Sequence, residues 1–264
     1  TDPDHTFVCC LSSLNLARYD EWKDSDLVAT SIWFLDAVME EFIQKAKQLP
    51  GFAKAVRFAE KSRALGLGVL GWHTLLQSKM IPFDSFDAMK LNAEVFSKMR
   101  KESVEASKEL AKEYGEPEWC KGTGMRNSHT MACAPTVSNA IISGGVSQGI
   151  EPIVAVYFSQ KTAKGSFTRK NKQLETLLET YSKNTFEVWN EINKNGGSVQ
   201  TLDFLSDLEK EVFLTAREIN QFAIIRQAAQ RQKWIDQGQS INLFFSLPKD
   251  NQDLNLKFNF TKYI

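Results

Sequence analysis

Along the chain, stretches in which apolar residues recur every three or four positions alternate with short apolar runs that have no such period. The first kind predicts amphipathic helices and the second buried strands. From 25 to 48, Leu27, Leu35, Met39, Phe42, Ile43 and Ala46 share one helical face, and Pro50-Gly51 stops it. Residues 52–63 and 69–76 read as two further helices around a glycine-rich joint. The longest helical pattern covers 83–114, with Asp84 or Ser85 as N-cap and Gly115 as terminator. One or two helical turns are predicted over 137–142, and longer helices over 171–181, 185–193 and 206–235. Strands are predicted over 7–16, with a turn at 18–20, and over 127–134, 153–160 and 239–245. A few strands among many helices favour an α/β arrangement with a largely parallel sheet over a helical bundle. Neither a repeat nor a low-complexity linker appears, which predicts one domain over 1–264.

Composition narrows the class. The 264 residues hold 32 basic and 32 acidic side chains, so no global field recruits nucleic acid or an anionic membrane. No apolar run has the length of a bilayer span and none has the form of a signal peptide, so a cytosolic protein is the default expectation. The four cysteines lack CxxC spacing, which argues against a zinc cluster or structural disulfides, and no metal site is expected. The first residue is not Met and the last seven are largely apolar, so the chain reads as a fragment truncated at both ends.

Gly66-Leu67-Gly68-Val69-Leu70-Gly71 matches the dinucleotide-binding pattern GxGxxG. That pattern needs a strand before it and an acid about 20 residues later. A helix is predicted before it here, and the downstream Asp84 and Asp87 open another helix, so tight helix-to-helix packing is the better account of these glycines. The segment around Pro135 carries more. Proline suits the first position of a helix, and the small polar residues after it leave backbone N–H groups open to an anion. Thr136 and Ser138 add hydroxyls, and Gly144 and Gly145 allow close approach; an ordinary capped helix start fits the same letters equally well. Cys9 and Cys10 on one strand point to opposite faces, so at most one faces a site. His5, His73 and His129 show no ligand spacing, and Arg217, Arg226 and Arg231 read as a solvated or ion-paired helix face.

Four segments in order resemble one family, the large catalytic subunit of class I ribonucleotide reductase, especially versions from tailed bacteriophages. They are Val8-Cys9-Cys10-Leu11-Ser12-Ser13-Leu14-Asn15-Leu16, Arg63 with Gly66, Gly68 and Gly71, Ala134-Pro135-Thr136-Val137-Ser138 with Ile150-Glu151-Pro152, and Asp236-Gln237 with Ser240 and Asn242. The resemblance covers nearly the whole chain and implies the second half of a ten-stranded α/β barrel, built from two parallel half-sheets around a finger loop. It implies replacement of the 2′-hydroxyl of a ribonucleoside diphosphate by hydrogen. In the family a thiyl radical on the finger loop removes the 3′-hydrogen, and a cysteine pair supplies electrons as it becomes a disulfide.

By that resemblance Cys9 is one member of the redox pair, and Thr136, Val137, Ser138 and Asn139 hold the substrate diphosphate. Asn139 departs from the hydroxyl residue common in relatives, which leaves its backbone contact more secure than its side-chain contact. The Asn-x-Cys-x-Glu segment of the radical cysteine, the second redox cysteine, the radical-relaying tyrosines and the C-terminal cysteine pair have no counterpart here. The resemblance further implies partners: the missing N-terminal part of the large subunit, a small radical-generating subunit that carries the metal-radical cofactor, thioredoxin or glutaredoxin, and a second large subunit. Nucleotide effectors would bind outside this segment, which holds no cofactor of its own and is not expected to be active alone. A non-catalytic nucleotide- or phosphate-binding module derived from the same fold is the rival expectation.

Overall fold

In the computed structural model, which describes residues 2–162 and 165–245, four extended segments run side by side in one direction. β1 (Leu11–Asn15) pairs in parallel with β2 (Gly66–Leu70), Leu11 opposite Gly66 and Asn15 opposite Leu70. Next comes the stretch 129–133, held by Leu65 N–H to His129 O (3.0 Å), Leu67 N–H to Thr130 O (2.9 Å) and Ala132 N–H to Leu67 O (3.2 Å). The fourth is 237–240, joined by Cys133 N–H to Gly238 O (3.0 Å) and Ser240 N–H to Cys133 O (2.9 Å). Parallel neighbours need long crossovers, and helices supply them. Between β1 and β2 lie α1 (Tyr19–Trp22), α2 (Leu27–Ala46) and α3 (Ala53–Ser62). Between β2 and the third segment lie α4 (Trp72–Ser78) and α5 (Phe86–Tyr114). The last crossover is the longest. It holds α6 (Val137–Ile142), a hairpin of β3 (Tyr157–Thr162) and β4 (Gly165–Lys170), α7 (Lys172–Thr180), α8 (Phe186–Lys194), α9 (Asp207–Val212) and α10 (Gln221–Gln232).

Side chains alternate across these segments, and one face is apolar. Cys10, Leu14, Leu67, Val69, Met131 and Cys133 join a single buried cluster with residues of α2 and α5. The helices meet them with Ile32, Leu35, Met39 and Ile43 from α2, and Val95, Phe96 and Met99 from α5, at the three-and-four spacing of an amphipathic face. Each such side chain contributes about 1.5–3 kcal/mol by leaving water. Ser85 caps α5 by accepting from Ala88 N–H (3.1 Å), and Gly115 at φ +79° ends it. The long crossover packs a second cluster of its own, with Leu174, Leu178, Trp189, Ile192 and Phe213 at its centre.

Several expectations change. Residues 66–70, expected to lead into a helix over 69–76, form β2, and the helix begins only at Trp72 after Gly71 turns at φ +82°. The glycines do serve close packing, but against a strand: a Cβ on Gly66 would lie 2.8 Å from the Cβ of Ala132, and one on Gly68 would overlap the Ala132 carbonyl. The predicted helix over 206–235 is two, α9 and α10, because Phe213, Ala216 and Ile219 of the connecting loop are buried and break the helical register. The expected strand over 153–160 starts at Tyr157 and turns back as β4, whose pattern had not suggested a strand. Over 127–134 and 239–245 the chain is extended, with isolated bridges at Met131, Cys133 and Gln239 in place of full ladders. Pro135 precedes the helix cap and is not the first helical residue.

One buried ionic cluster fixes the joint between α2, α3 and the third segment. Arg63 donates through Nε to Asp36 Oδ1 (2.8 Å), Arg126 through Nε to Asp36 Oδ2 (3.0 Å), and Asn127 through Nδ2 to Asp36 Oδ1 (2.8 Å). Burial alone would raise the Asp36 pKa, but the Arg63 and Arg126 contacts outweigh it and hold the carboxyl below its usual value. A carboxyl lowered in the folded state binds fewer protons there than when unfolded, so its stabilisation is present at neutral pH and fades as pH falls through the carboxylate range. Asp36→Asn removes the one carboxylate that Arg126 pairs with among the described residues and leaves Arg63 only Glu40, so denaturant unfolding at neutral pH should show a loss of roughly 3–5 kcal/mol. The gap from the unsubstituted chain should narrow in acid; a loss independent of pH would contradict this account.

Candidate functional site

The carboxyl ends of β1, β2 and the third segment converge on one loop. After Cys133 the chain passes through Ala134 and Pro135 to Thr136, which caps α6 in the left-handed region at φ +54°. No side chain caps α6, so the first backbone N–H groups of α6 are not used by a cap residue. Val137, Ser138 and Asn139 are exposed and Thr136 is half-buried. The Thr136 hydroxyl oxygen accepts from Gly149 N–H (2.8 Å), so its first role is to hold the loop closed. From β1, Asn15 reaches across through Nδ2 to Ser143 O (3.4 Å). Ligand sites of parallel α/β sheets lie at the carboxyl ends of the strands, and this loop occupies that place.

Cys9 sits at the other end of β1. It is exposed, whereas Cys10 is buried and its thiol donates to Leu35 O (3.4 Å). Burial in the first place, with a smaller push from Asp36, raises the Cys10 pKa to about 11. Alternation therefore separates the two thiols as expected, with Cys9 on the face away from the core. Asn15 lies six positions beyond Cys9, roughly 20 Å of extended chain. The structure thus gathers Thr136, Val137, Ser138 and Asn139 with the strand ends and leaves Cys9 apart from them. Cys9 borders instead a groove of about 330 Å³ beside Leu11, Phe34 and Val38.

Other singled-out residues turn out to be structural. Glu151 accepts from Asn242 N–H (2.6 Å) and Asn242 Nδ2 (2.9 Å), which ties the segment after the loop to the end of the fourth extended segment. Asp236 accepts from Thr130 N–H (3.0 Å) and Met131 N–H (2.9 Å) and pairs with Arg100. Gln237 donates to Leu65 O. His73 is fully buried, its Nδ1 accepts from Ile153 N–H (3.0 Å), and burial lowers its pKa to about 3. Arg231 overturns the solvated-face expectation: it is 0% exposed, donates through Nε to Asn92 Oδ1 (2.8 Å), and lies over the rings of Trp72 and Phe96. Burial lowers its pKa to about 10, so it remains a cation at neutral pH. Arg231 lies on the same face of α10 as the buried Ile224, Gln227 and Ala228, so spacing places it inward and only its charge suggested solvent. Sequence reasoning also missed Thr74 and Ser147, two buried hydroxyls behind the loop whose letters carry no signal.

A parallel α/β sheet with an open loop at the carboxyl ends of its strands places this chain in the class of α/β proteins whose ligand sites lie at that edge. Comparison with known proteins narrows it. The family described as "Ribonucleotide reductase, barrel domain" matches residues 1–122 and 117–258, and the chain belongs to that family. The ribonucleoside-diphosphate reductase large subunit of Invertebrate iridescent virus 6 is 48% identical over 249 residues, 92% of this chain and 26% of the viral protein. The large subunit of Invertebrate iridescent virus 3 is 41% identical over 93% of this chain and 39% of its own length. Among solved structures, an Actinobacillus ureae class Id ribonucleotide reductase alpha subunit superposes with a TM-score of 0.90 at 48% identity, covering 100% of this chain and 49% of that one. The chain spans less than half the length of these relatives. The expected barrel fold is thus established, whereas the tailed-phage likeness rests on the motifs alone.

Two outcomes follow from this geometry. Burial is the main cause that raises the Glu151 pKa, partly offset by the Asn242 hydrogen bonds. A carboxyl raised in the folded state favours folding when protonated and loses that contribution as pH rises through its folded pKa. Glu151→Gln keeps an oxygen acceptor and removes the charge, so at pH 7 the variant should unfold at equal or higher denaturant, while Glu151→Ala should lose about 1 kcal/mol with the hydrogen bonds to Asn242. Equal destabilisation by both would show that the charge itself is needed. For the thiols, Cys9 is exposed and Cys10, Cys120 and Cys133 are buried, so a maleimide should label one thiol quickly in the native chain and the rest only on unfolding. Rapid labelling that survives Cys9→Ser would mean the strand register is wrong.

Proposed function

We propose that this chain is the catalytic-barrel segment of a ribonucleoside-diphosphate reductase large subunit. It holds the diphosphate of a ribonucleotide at Thr136, Val137, Ser138 and Asn139 and contributes Cys9 as one of the two reducing thiols. The observation that carries the reading is the uncapped α6 start at the carboxyl edge of the sheet, in a chain that belongs to the ribonucleotide reductase barrel family. Backbone N–H groups at a helix start complement phosphate oxygens, and the Ser138 hydroxyl adds a donor. Asn139 contributes through its backbone. The exposed face of Cys9 suits a thiol that must meet a second cysteine, and the burial of Cys10 unsuits it for exchange.

In the proposed reaction the 2′-hydroxyl leaves as water. Cys9 and a second thiol give up two electrons and two protons and form a disulfide. The second thiol, the cysteine that carries the radical and the tyrosines that deliver it belong to other parts of the large subunit. A small radical-generating subunit, thioredoxin or glutaredoxin, and a second large subunit complete the set of partners. A cytoplasmic setting accords with this chemistry. Among the described residues, no helix is long and apolar enough to cross a membrane.

The test uses the chain alone and combined with the complementary parts of the large subunit, the small subunit and a dithiol reductant. Alone it should form no deoxyribonucleotide. In the complete assembly Cys9→Ser should abolish turnover and Cys10→Ser should retain it. Turnover by the isolated chain, or the reverse cysteine pattern, would refute the assignment.

A further inference from the structure

Two buried hydroxyls stand behind the loop and answer each other. Thr74 lies in the first turn of α4 and Ser147 in the return that follows α6, and both are 3% exposed. Thr74 N–H donates to Ser147 Oγ (3.1 Å), and Ser147 N–H donates to Thr74 Oγ1 (2.8 Å). On either side, Gly71 N–H donates to Ser147 O (2.8 Å) and Trp72 N–H to Gly149 O (3.2 Å). The first donors of a helix need partners from outside it, and α4, which starts on a glycine without a side-chain cap, takes them from this return. The return is thereby seated at one height against β2.

That seating reaches Thr136. Gly149, at φ +44°, packs so closely on Ala134 that a Cβ there would lie 2.9 Å from the Ala134 carbonyl oxygen. From that position its N–H meets Thr136 Oγ1 at 2.8 Å. A β-branched residue in the left-handed region persists only where its surroundings hold it. With its oxygen accepting from Gly149, the Thr136 hydroxyl keeps its proton to donate, and the chain turns so that the N–H groups of Val137, Ser138 and Asn139 open to solvent.

We infer that Thr74 and Ser147 are positioning residues for the phosphate grip, acting through Gly149 and Thr136 without touching the ligand. The inference rests on reading Thr136, Val137, Ser138 and Asn139 as that grip. It assigns the shape of the loop to a hydroxyl pair that ties the return to α4, an element distant in sequence.

Two readouts on the whole 264-residue chain separate the parts of the claim. The first is amide exchange at Gly149, which needs no ligand. The second is pyrophosphate binding, followed through the amide signals of Val137, Ser138 and Asn139. Thr74→Val keeps the side-chain shape and removes the hydroxyl; it should speed exchange at Gly149 and weaken pyrophosphate about tenfold, the scale of one to two lost hydrogen bonds. Thr74→Ser should restore both. Ser147→Ala, which removes the partner hydroxyl, should reproduce the valine result and serves if the valine variant fails to fold. Unchanged exchange and unchanged binding in folded variants would overturn the inference. Altered exchange with unchanged binding would overturn the link to the grip. Failure of the unsubstituted chain to bind pyrophosphate would overturn the grip itself, and Gly149 exchange still judges the hydroxyl pair.

Discussion

The approach of two backbones at Gly68 is the constraint on which the rest depends. The Ala132 carbonyl occupies the place where any other residue at 68 would carry its Cβ, and a Cβ at Gly66 would run into the side chains of Leu11 and Ala132. Only residues without a side chain let the third extended segment come this close. Once it does, Leu67 and Met131 bridge, the Asp236 carboxylate reaches the N–H groups of Thr130 and Met131, and the fourth segment falls into place through Cys133. The loop at Thr136 is the continuation of that same segment, so its distance from the start of α4 is set by the glycine contact.

Motifs far apart along the chain turn out to be partners. Glu151 and Asn242 bind each other, and Asp236 and Gln237 bind the backbones of β2 and its neighbour. Residue types that suggest catalysis on paper here complete hydrogen bonds of the backbone, among them the buried donors of Thr130 and Met131, each of which would otherwise cost about 1–3 kcal/mol. The start of α6 and the Cys9 thiol are exposed and stand at opposite ends of β1.

Charge is handled in two ways inside the same core. Arg63 and Arg126 share Asp36, a conventional buried cluster with its hydrogen bonds filled. Among the described residues Arg231 is held by the amides of Asn92 and Gln227 and by two aromatic faces, with no carboxylate paired to it. Guanidinium is weakly hydrated and planar, and stacking on rings lowers the cost of keeping it there. Through Trp72, which donates to Gln227, this cation braces the first residue of α4, the helix on which the loop is seated.

Much of this was legible in the letters. The faces of α2 and α5 followed from spacing, Ser85 and Gly115 from capping chemistry, and the opposite fates of Cys9 and Cys10 from the two-residue period of a strand. The order of the motifs was enough to suggest the family and the diphosphate loop. The glycine run of β2 was misread because glycine signals closeness without naming the neighbour; Ala132 lies some sixty residues away in sequence. Thr74 and Ser147 gave no sign either, since hydrogen-bond partnership arises only when distant segments pack. Local pattern therefore determined most of the helices and which face each turns inward. Tertiary contact alone decided how closely the strands approach and which polar groups meet, because those depend on the space left between segments and not on the order of residues within them.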